Sequence, residues 1–174
     1  THLGVFENFN PPINIDIKNP ILYLGNIQPD LQLEVIDKVK SKYLIAADSM
    51  NLWIDLFPKK VWELISKVNV FMLNDEEAIQ LTNKSNLESI ADDFLNLGPR
   101  IVIIKMGGEG ALVAYGNKKV YVSVVPDTTV CDPTGAGDSF AGGVLGYISN
   151  YGIDDPVKAV IHGSAVASYT VSGF

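Results

Sequence analysis

Cysteine is nearly absent: Cys131 stands alone among 174 residues, so no disulfide can form within the chain. Stability must come from an apolar core, and a reducing compartment, the cytoplasm, is the expected location. Histidine is almost as scarce, and His2 and His162 are too few for a His-based metal site. Basic residues are outnumbered, 13 Lys and Arg against 20 Asp and Glu, for a formal charge of −7. A nucleic-acid binder needs a basic face, so no nucleic-acid partner is expected. No apolar run reaches the roughly 18 residues of a membrane span, and no signal peptide is legible, so no membrane partner is expected either. Repeats and low-complexity tracts are missing. At 47% hydrophobic and 19% charged residues the chain is too apolar to be disordered, and its length suits one domain with a real core.

What is present is an alternation of short apolar runs and helix-spaced segments. Residues 1–20 carry Pro11, Pro12 and Pro20 with four Asn and read as loop, with Phe6 and Phe9 available to pack elsewhere. Buried strands are expected over 21–24, 43–47, 68–73 and 101–105, where the runs are uninterrupted and apolar. Helices are expected over 29–40, 59–67, 78–82 and 87–97. From Ala111 the pattern changes: 111–115, the Gly116-Asn117 pair and 118–125 read as an antiparallel hairpin with a tight turn. Helices over 140–148 and 155–171 close the chain. The expected class is α/β, a mainly parallel sheet flanked by helices on both faces, with a late antiparallel hairpin. Ligands of such sheets bind beyond the carboxyl ends of the strands, where Asp48, Asn74 and Gly107 each open a loop.

The most informative stretch runs over 130–143 and contains Asp132-Pro133-Thr134-Gly135-Ala136-Gly137-Asp138-Ser139-Phe140-Ala141-Gly142-Gly143. A loop of small residues before a helix aims several N–H groups at one point, and the helix dipole adds positive potential there, which favours phosphate. Acidity of the whole chain does not oppose this, because a local cradle of N–H groups binds phosphate inside an acidic protein. Gly135 and Gly137 allow close approach of a ligand and Ala136 adds little bulk. Asp138 would repel a phosphate that is only bound, but it can take a proton from a hydroxyl that attacks one.

Three other constellations carry chemistry. Asn74 and Glu77 lie three apart at a helix start and can face one side. Together they suit Mg²⁺, held directly or through water beside phosphates; the same pair equally makes an N-cap with its reciprocal partner. Lys105-Met106-Gly107-Gly108-Glu109-Gly110 leaves room for a flat group against the backbone, or is an ordinary strand-to-hairpin turn. Asp48 and Asn51 are candidate site lining, or an Asx turn and cap. Cys131, with no basic neighbour in sequence, reads as a small buried apolar residue, and His162 as packed or at the solvent edge.

The 132–143 string resembles the C-terminal signature of the ribokinase-like carbohydrate kinases of the phosphofructokinase B type. The resemblance implies a three-layer ribokinase-like fold. It implies that the Gly135, Ala136 and Gly137 backbone forms the anion hole and that Asp138 is the general base. Asn74 and Glu77 match the family's Asn-x-x-Glu element, whose Glu positions Mg²⁺ and phosphate. Gly107, Gly108 and Gly110 correspond to the turn bordering the adenine nucleotide, Lys105 stands where relatives carry Thr or Lys, and the last helix borders adenine. Asp132 and Thr134 match a stretch that holds K⁺ in some members. Asp48-Ser49-Met50-Asn51-Leu52-Trp53 departs by one residue from an Asp-x-Asn turn of several sugar kinases. The implied activity is ATP-dependent phosphorylation of a hydroxymethyl group on a sugar or nucleoside, with ATP, Mg²⁺ and K⁺ as the implied ligands. A non-catalytic nucleotide binder, or a nucleotide-binding half without an acceptor site, is the alternative. An NAD-dependent oxidoreductase is disfavoured, since Gly25-Asn26 after the first strand lacks the required Gly-rich turn. Family members are commonly longer and often dimerise through a lid. Residues 1–174 are therefore expected to form one ribokinase-like domain without the N-terminal substrate and lid part and the extreme C-terminus, with a homodimer as a candidate assembly.

Overall fold

The computed structural model describes Phe9 and residues 21–39 and 44–173. The expectations for Phe6, His2, the early prolines and Tyr43 lie outside the described residues. Six strands form one sheet in the spatial order β1-β2-β3-β4-β5-β6. The first four, β1 (Ile21–Leu24), β2 (Leu44–Asp48), β3 (Val70–Asn74) and β4 (Ile101–Lys105), run parallel. β5 (Ala111–Tyr115) and β6 (Lys118–Val122) add antiparallel at one edge, joined by Gly116 at φ +52° and Asn117.

Strand order that follows chain order, with crossovers of one hand, puts every connecting helix on the same face. That layer holds α1 (Pro29–Lys38), α2 (Asn51–Leu56), α3 (Pro58–Lys67), α4 (Asp75–Thr82) and α5 (Leu87–Leu95). The hairpin carries the chain across, and α6 (Ala136–Tyr151) and α7 (Pro156–Ser172) cover the opposite face. The period-2 alternation of each strand feeds both layers. Phe71 and Leu73 of β3 pack with Leu64, Ile65 and Phe94 on one side, whereas Val70 and Met72 pack with Phe140, Val144 and Val160 on the other. Phe71 and Phe94 meet edge to face at 5.8 Å, and burial of each such side chain is worth about 1.5 to 3 kcal/mol. The described helices include none long and apolar enough to cross a membrane.

The boundaries differ from the sequence expectations in instructive places. β3 starts at Val70, because α3 runs to Lys67 and Asn69 is spent on β2: its Oδ1 accepts the Ile45 N–H at 2.8 Å. α4 begins at Asp75 and α6 at Ala136, each about one turn earlier than expected, because Asn74 and Gly135 are the N-caps. α2 was not expected at all; its six residues are too few to show a period, and Trp53 and Ile54 carry its burial. β6 stops at Val122 instead of Val125. β2 includes Asp48 as its last residue, which brings Asp48, Asn74 and Lys105 to the carboxyl ends of three neighbouring strands.

Candidate active site

Those three strand ends form a polar row. Asn74 and Lys105 are register partners in β3 and β4, and Asp48 pairs with Met72, two residues before Asn74. Lys105 reaches across β3, and its Nζ donates to Asp48 Oδ2 at 2.8 Å. Asp48 Oδ1 accepts the Ser49 N–H at 2.8 Å, so both carboxylate oxygens are engaged. Asn74 caps α4: its Oδ1 accepts the Glu77 N–H at 2.7 Å, and Glu77 Oε2 accepts the Asn74 N–H at 2.9 Å. The reciprocal capping box is therefore present in full. Glu77 is buried, and burial pushes its carboxyl above the ordinary range. The Asn74 N–H pulls it back, the Asp48 charge pushes it up further, and Lys105 and the Asn51 backbone oppose the rise. Asn51, at the start of α2, thus borders the same carboxylate.

The signature loop faces this row. Gly135 is the N-cap of α6 in the left-handed region at φ +77°, a conformation that favours glycine. Its carbonyl accepts the Ser139 N–H at 2.9 Å, and the Ala136 N–H donates to the Pro133 carbonyl at 3.2 Å. Among the described residues the N–H groups of Gly137 and Asp138 meet no backbone carbonyl, as first-turn donors of a helix commonly do. A Cβ built on Gly137 would lie 3.8 Å from Lys105 Nζ, so the ammonium stands beside these donors.

A cleft of about 690 Å³ opens between the row and the loop. It brings together Asn74, Lys105, Gly107, Gly108, Gly110, Ala136 and Gly137, seven of the residues that the sequence singles out. Its mostly apolar walls were not foreseen in detail: Val124, Val125 and Pro126 after β6 on one side, and Ala167 and Val171 of α7 on the other. The only sequence signal for the first wall is the Pro126-Asp127 break that ends an apolar run. Gly107 (φ +55°) and Gly108 face open space, which suits a ligand against bare backbone. Gly110 is different. At φ +102°, a Cβ there would stand 2.0 Å from the Val122 carbonyl oxygen, so the β4–β5–β6 frame itself requires glycine.

Other candidates fall outside the cleft lining. Asp138 is exposed on the first turn of α6, where its charge acts on Tyr23 of β1. Burial raises the Tyr23 phenol well above its usual range, and the Asp48 and Asp138 carboxylates add to the rise. Tyr23 was missed; a tyrosine within a short apolar run gives no sign of such neighbours. Asp132 Oδ1 accepts the Thr134 N–H at 2.8 Å, and bonds from Thr134 hold its carboxyl below the usual range. The N–H groups of Cys131 and Asp132 both donate to the Val171 carbonyl, at 2.7 and 3.2 Å, and tie the loop to the end of α7. Cys131 is exposed, not buried as expected, because that loop lies on the surface. His162 is also exposed and packs its ring at a tilt against Tyr147, centroids 4.9 Å apart. The described residues contain no group of three or more His, Cys, Asp or Glu able to hold a metal ion.

A sheet whose carboxyl edge meets a glycine-rich helix N-terminus across a cleft is the layout of α/β ligand-binding proteins. Residues 22–173 match the family model of the pfkB family carbohydrate kinases, and the chain belongs to that family. It is 26% identical over 167 residues to a nucleoside kinase of Methanocaldococcus jannaschii, covering 95% of this chain and 52% of that protein. The crystal structure of the nucleoside kinase from the same organism superposes with a TM-score of 0.79 at 27% identity, covering 97% of this chain and 54% of the other. A 2-dehydro-3-deoxygluconokinase of Bacillus subtilis is 36% identical over 124 residues, 70% of this chain and 37% of that protein. A fructokinase of Vibrio cholerae, solved with fructose, ADP and calcium ion bound, shares the fold at 22% identity and a TM-score of 0.76, over 90% of this chain and 56% of the other. The chain spans about half the length of the first two of these relatives.

Proposed function

We propose that the chain is the nucleotide-binding portion of an ATP-dependent kinase that transfers the γ-phosphate to a hydroxymethyl group of a sugar or nucleoside. One observation carries this reading: the α6 N-terminus presents the free Gly137 and Asp138 N–H groups beside a glycine-lined cleft, with an exposed carboxylate on the same turn. The cleft takes the nucleotide, its adenine between the residues after β6 and α7, and its phosphates toward Lys105 and the 135–137 backbone. N–H groups of Gly135, Ala136 and Gly137 stabilise charge on the transferring phosphoryl oxygens; Ala136 exchanges its long 3.2 Å bond to Pro133 for that role. Asp138 accepts the proton of the acceptor hydroxyl as its oxygen bonds to phosphorus and the ADP oxygen departs.

Mg²⁺ fits Asn74 and Glu77 as the donor set, because this ion commonly keeps its waters and needs only one or two carboxylates beside substrate phosphates. The Asn74 N–H engages Oε2 of Glu77 and the Asn51 backbone also acts on this carboxylate, which would serve the ion or its water shell. When bound, Mg²⁺ supplies charge neutralisation on the phosphates. Asp132 is the candidate contributor to a K⁺ site. The acceptor-binding and lid elements, and any dimer contact made through a lid, belong to the portion of the longer relatives that this chain does not cover.

The test is Asp138→Asn in the complete protein, with ATP turnover measured over a panel of sugars and nucleosides. Turnover is expected to fall by about 10² to 10⁴ with nucleotide affinity retained. A loss of only a few-fold removes Asp138 from the base role. ATP binding without transfer to any acceptor would support the second reading, a nucleotide-binding protein without catalysis.

A further inference from the structure

The Lys105–Asp48 pair calls for a reason beyond stability. Among the described ion pairs it is the one with both partners well shielded, at 20% and 11% exposure of the two side chains. Desolvating two charges can cost as much as their attraction returns, so a shielded pair is poor evidence of a stabilising device. Nor is the carboxylate needed to fasten the end of β2. The buried Gln32 amide does that, donating to the Asp48 carbonyl at 3.1 Å and to the Leu24 and Gly25 carbonyls at 3.2 and 2.8 Å. With Oδ1 taken by the Ser49 N–H next to it in the chain, Oδ2 of Asp48 acts on Lys105. Its partner is a flexible four-carbon stem that lines the cleft and ends beside Gly137 at the α6 N-terminus.

We propose that Asp48 is a positioning residue: through its 2.8 Å bond it holds Lys105 Nζ at the point where the cleft meets the α6 N-terminus, so that the ammonium receives the phosphate chain of a nucleoside triphosphate. This rests on the nucleotide-binding reading above and adds a role that the chain's motifs do not assign. Asp48 and Lys105 are 57 residues apart and meet only because β2 and β4 flank β3. An ammonium restrained in place loses less freedom when phosphate arrives, which is preorganisation in its simplest form. Glu77, whose carboxyl also feels the Lys105 charge, is bonded to Asn74 in the capping box, and the direct bond from Lys105 goes to Asp48.

The experiment is calorimetric titration of the complete protein with Mg-ATP, adenosine and inorganic tripolyphosphate, for the wild type, Lys105→Met, Asp48→Asn and the double variant. Lys105→Met is expected to lose about 10- to 100-fold in affinity for ATP and tripolyphosphate, with adenosine unchanged, as for a lost charged hydrogen bond. Asp48→Asn is expected to lose about 5-fold or more for the two phosphate ligands only, and the double variant to bind no worse than Lys105→Met. Losses that add, or an Asp48→Asn loss shared by adenosine, overturn the inference and leave Asp48 a structural residue. If Asp48→Asn fails to fold while the double variant folds, the comparison runs between the double variant and Lys105→Met; equal ATP affinity upholds the inference and a further loss overturns it. Failure of both Asp48 variants to fold also overturns it, since Asp48 then serves the frame. A wild type that binds neither phosphate ligand brings down the nucleotide reading as well. ATP binding whose ratio to adenosine is unmoved by Lys105→Met brings down only the role of this pair.

Discussion

Gly107 and Gly110 belong to one five-residue turn between β4 and β5, yet they serve different ends. A side chain at Gly110 would run into the Val122 backbone, whereas one at Gly107 would meet nothing within 4 Å. Gly110 is demanded by the protein, and Gly107 faces only the cleft. The same division recurs at the other glycine cluster. Gly143 packs on Gly163 with a built Cβ only 2.8 Å from the facing Cα, which lets α6 and α7 approach at backbone distance, whereas Gly137 looks onto Lys105 and the cleft. A glycine-rich motif is thus a mixture of frame and site, and only the surroundings of each residue separate the two.

The largest effect that would sharpen this division is expected at the frame. Gly110→Ala combines a positive φ with a 2.0 Å overlap on backbone that cannot swing aside, and should cost roughly 2 to 4 kcal/mol. Urea unfolding would show it as a lower midpoint at unchanged slope. A variant as stable as the wild type would mean that the β4–β5 turn relaxes freely, and the contrast with Gly107 would vanish.

How far the frame and the site were legible follows the same division. β4 and β5 lie where their apolar runs predict, because each run is buried on both faces and bounded by Arg100, Met106 or the Gly116 turn. The local motifs were legible too, since the Asn74–Glu77 cap and the Gly135 loop depend on residues close in sequence. Contacts made by strand order were not. Nothing in the chain says that Lys105 meets Asp48 across β3, or that the Asp48 and Asp138 charges act on Tyr23, until β1 to β4 are placed in one sheet with α6 on its face. Short elements failed for a different reason: α2 is under two turns long and its burial rests on Trp53 and Ile54 alone, a pattern that any turn could show. The exposure of Cys131 was hidden because it depends on the loop being tied to Val171 at the far end of α7.

Gly107→Ala should have a smaller effect on stability, about 1 kcal/mol for the left-handed backbone alone, since its methyl group meets no atom of the protein. The methyl group would instead project into the cleft, and ATP affinity should fall by more than the stability change accounts for. Unfolding and ATP titration on the same preparation would decide the matter. Stability lost with ATP affinity intact would make Gly107 a turn residue like Gly110, and the comparison would break.

Glu77 is the residue that stands in both classes, and its replacement should perturb stability least. Burial raises its folded-state pKa above the ordinary value of 4.5, so in that range the folded chain binds the proton more tightly than the unfolded chain does. The stabilisation contributed by this protonation is complete below pH 4.5 and is lost as pH rises through the folded-state pKa. Gln at position 77 keeps an oxygen for the Asn74 N–H and does not titrate. Glu77→Gln should therefore show a flatter stability profile above pH 4.5 and match or exceed the wild type at neutral pH, within about 1 kcal/mol. Under the proposed function the same variant should lose about 10-fold in Mg²⁺-dependent ATP affinity. Thermal melts across pH, set beside ATP titrations with and without Mg²⁺, separate the alternatives. A variant that melts early at neutral pH and binds Mg-ATP normally would make Glu77 a capping residue only, and the carboxylate for the ion would have to come from outside the Asn74–Glu77 pair.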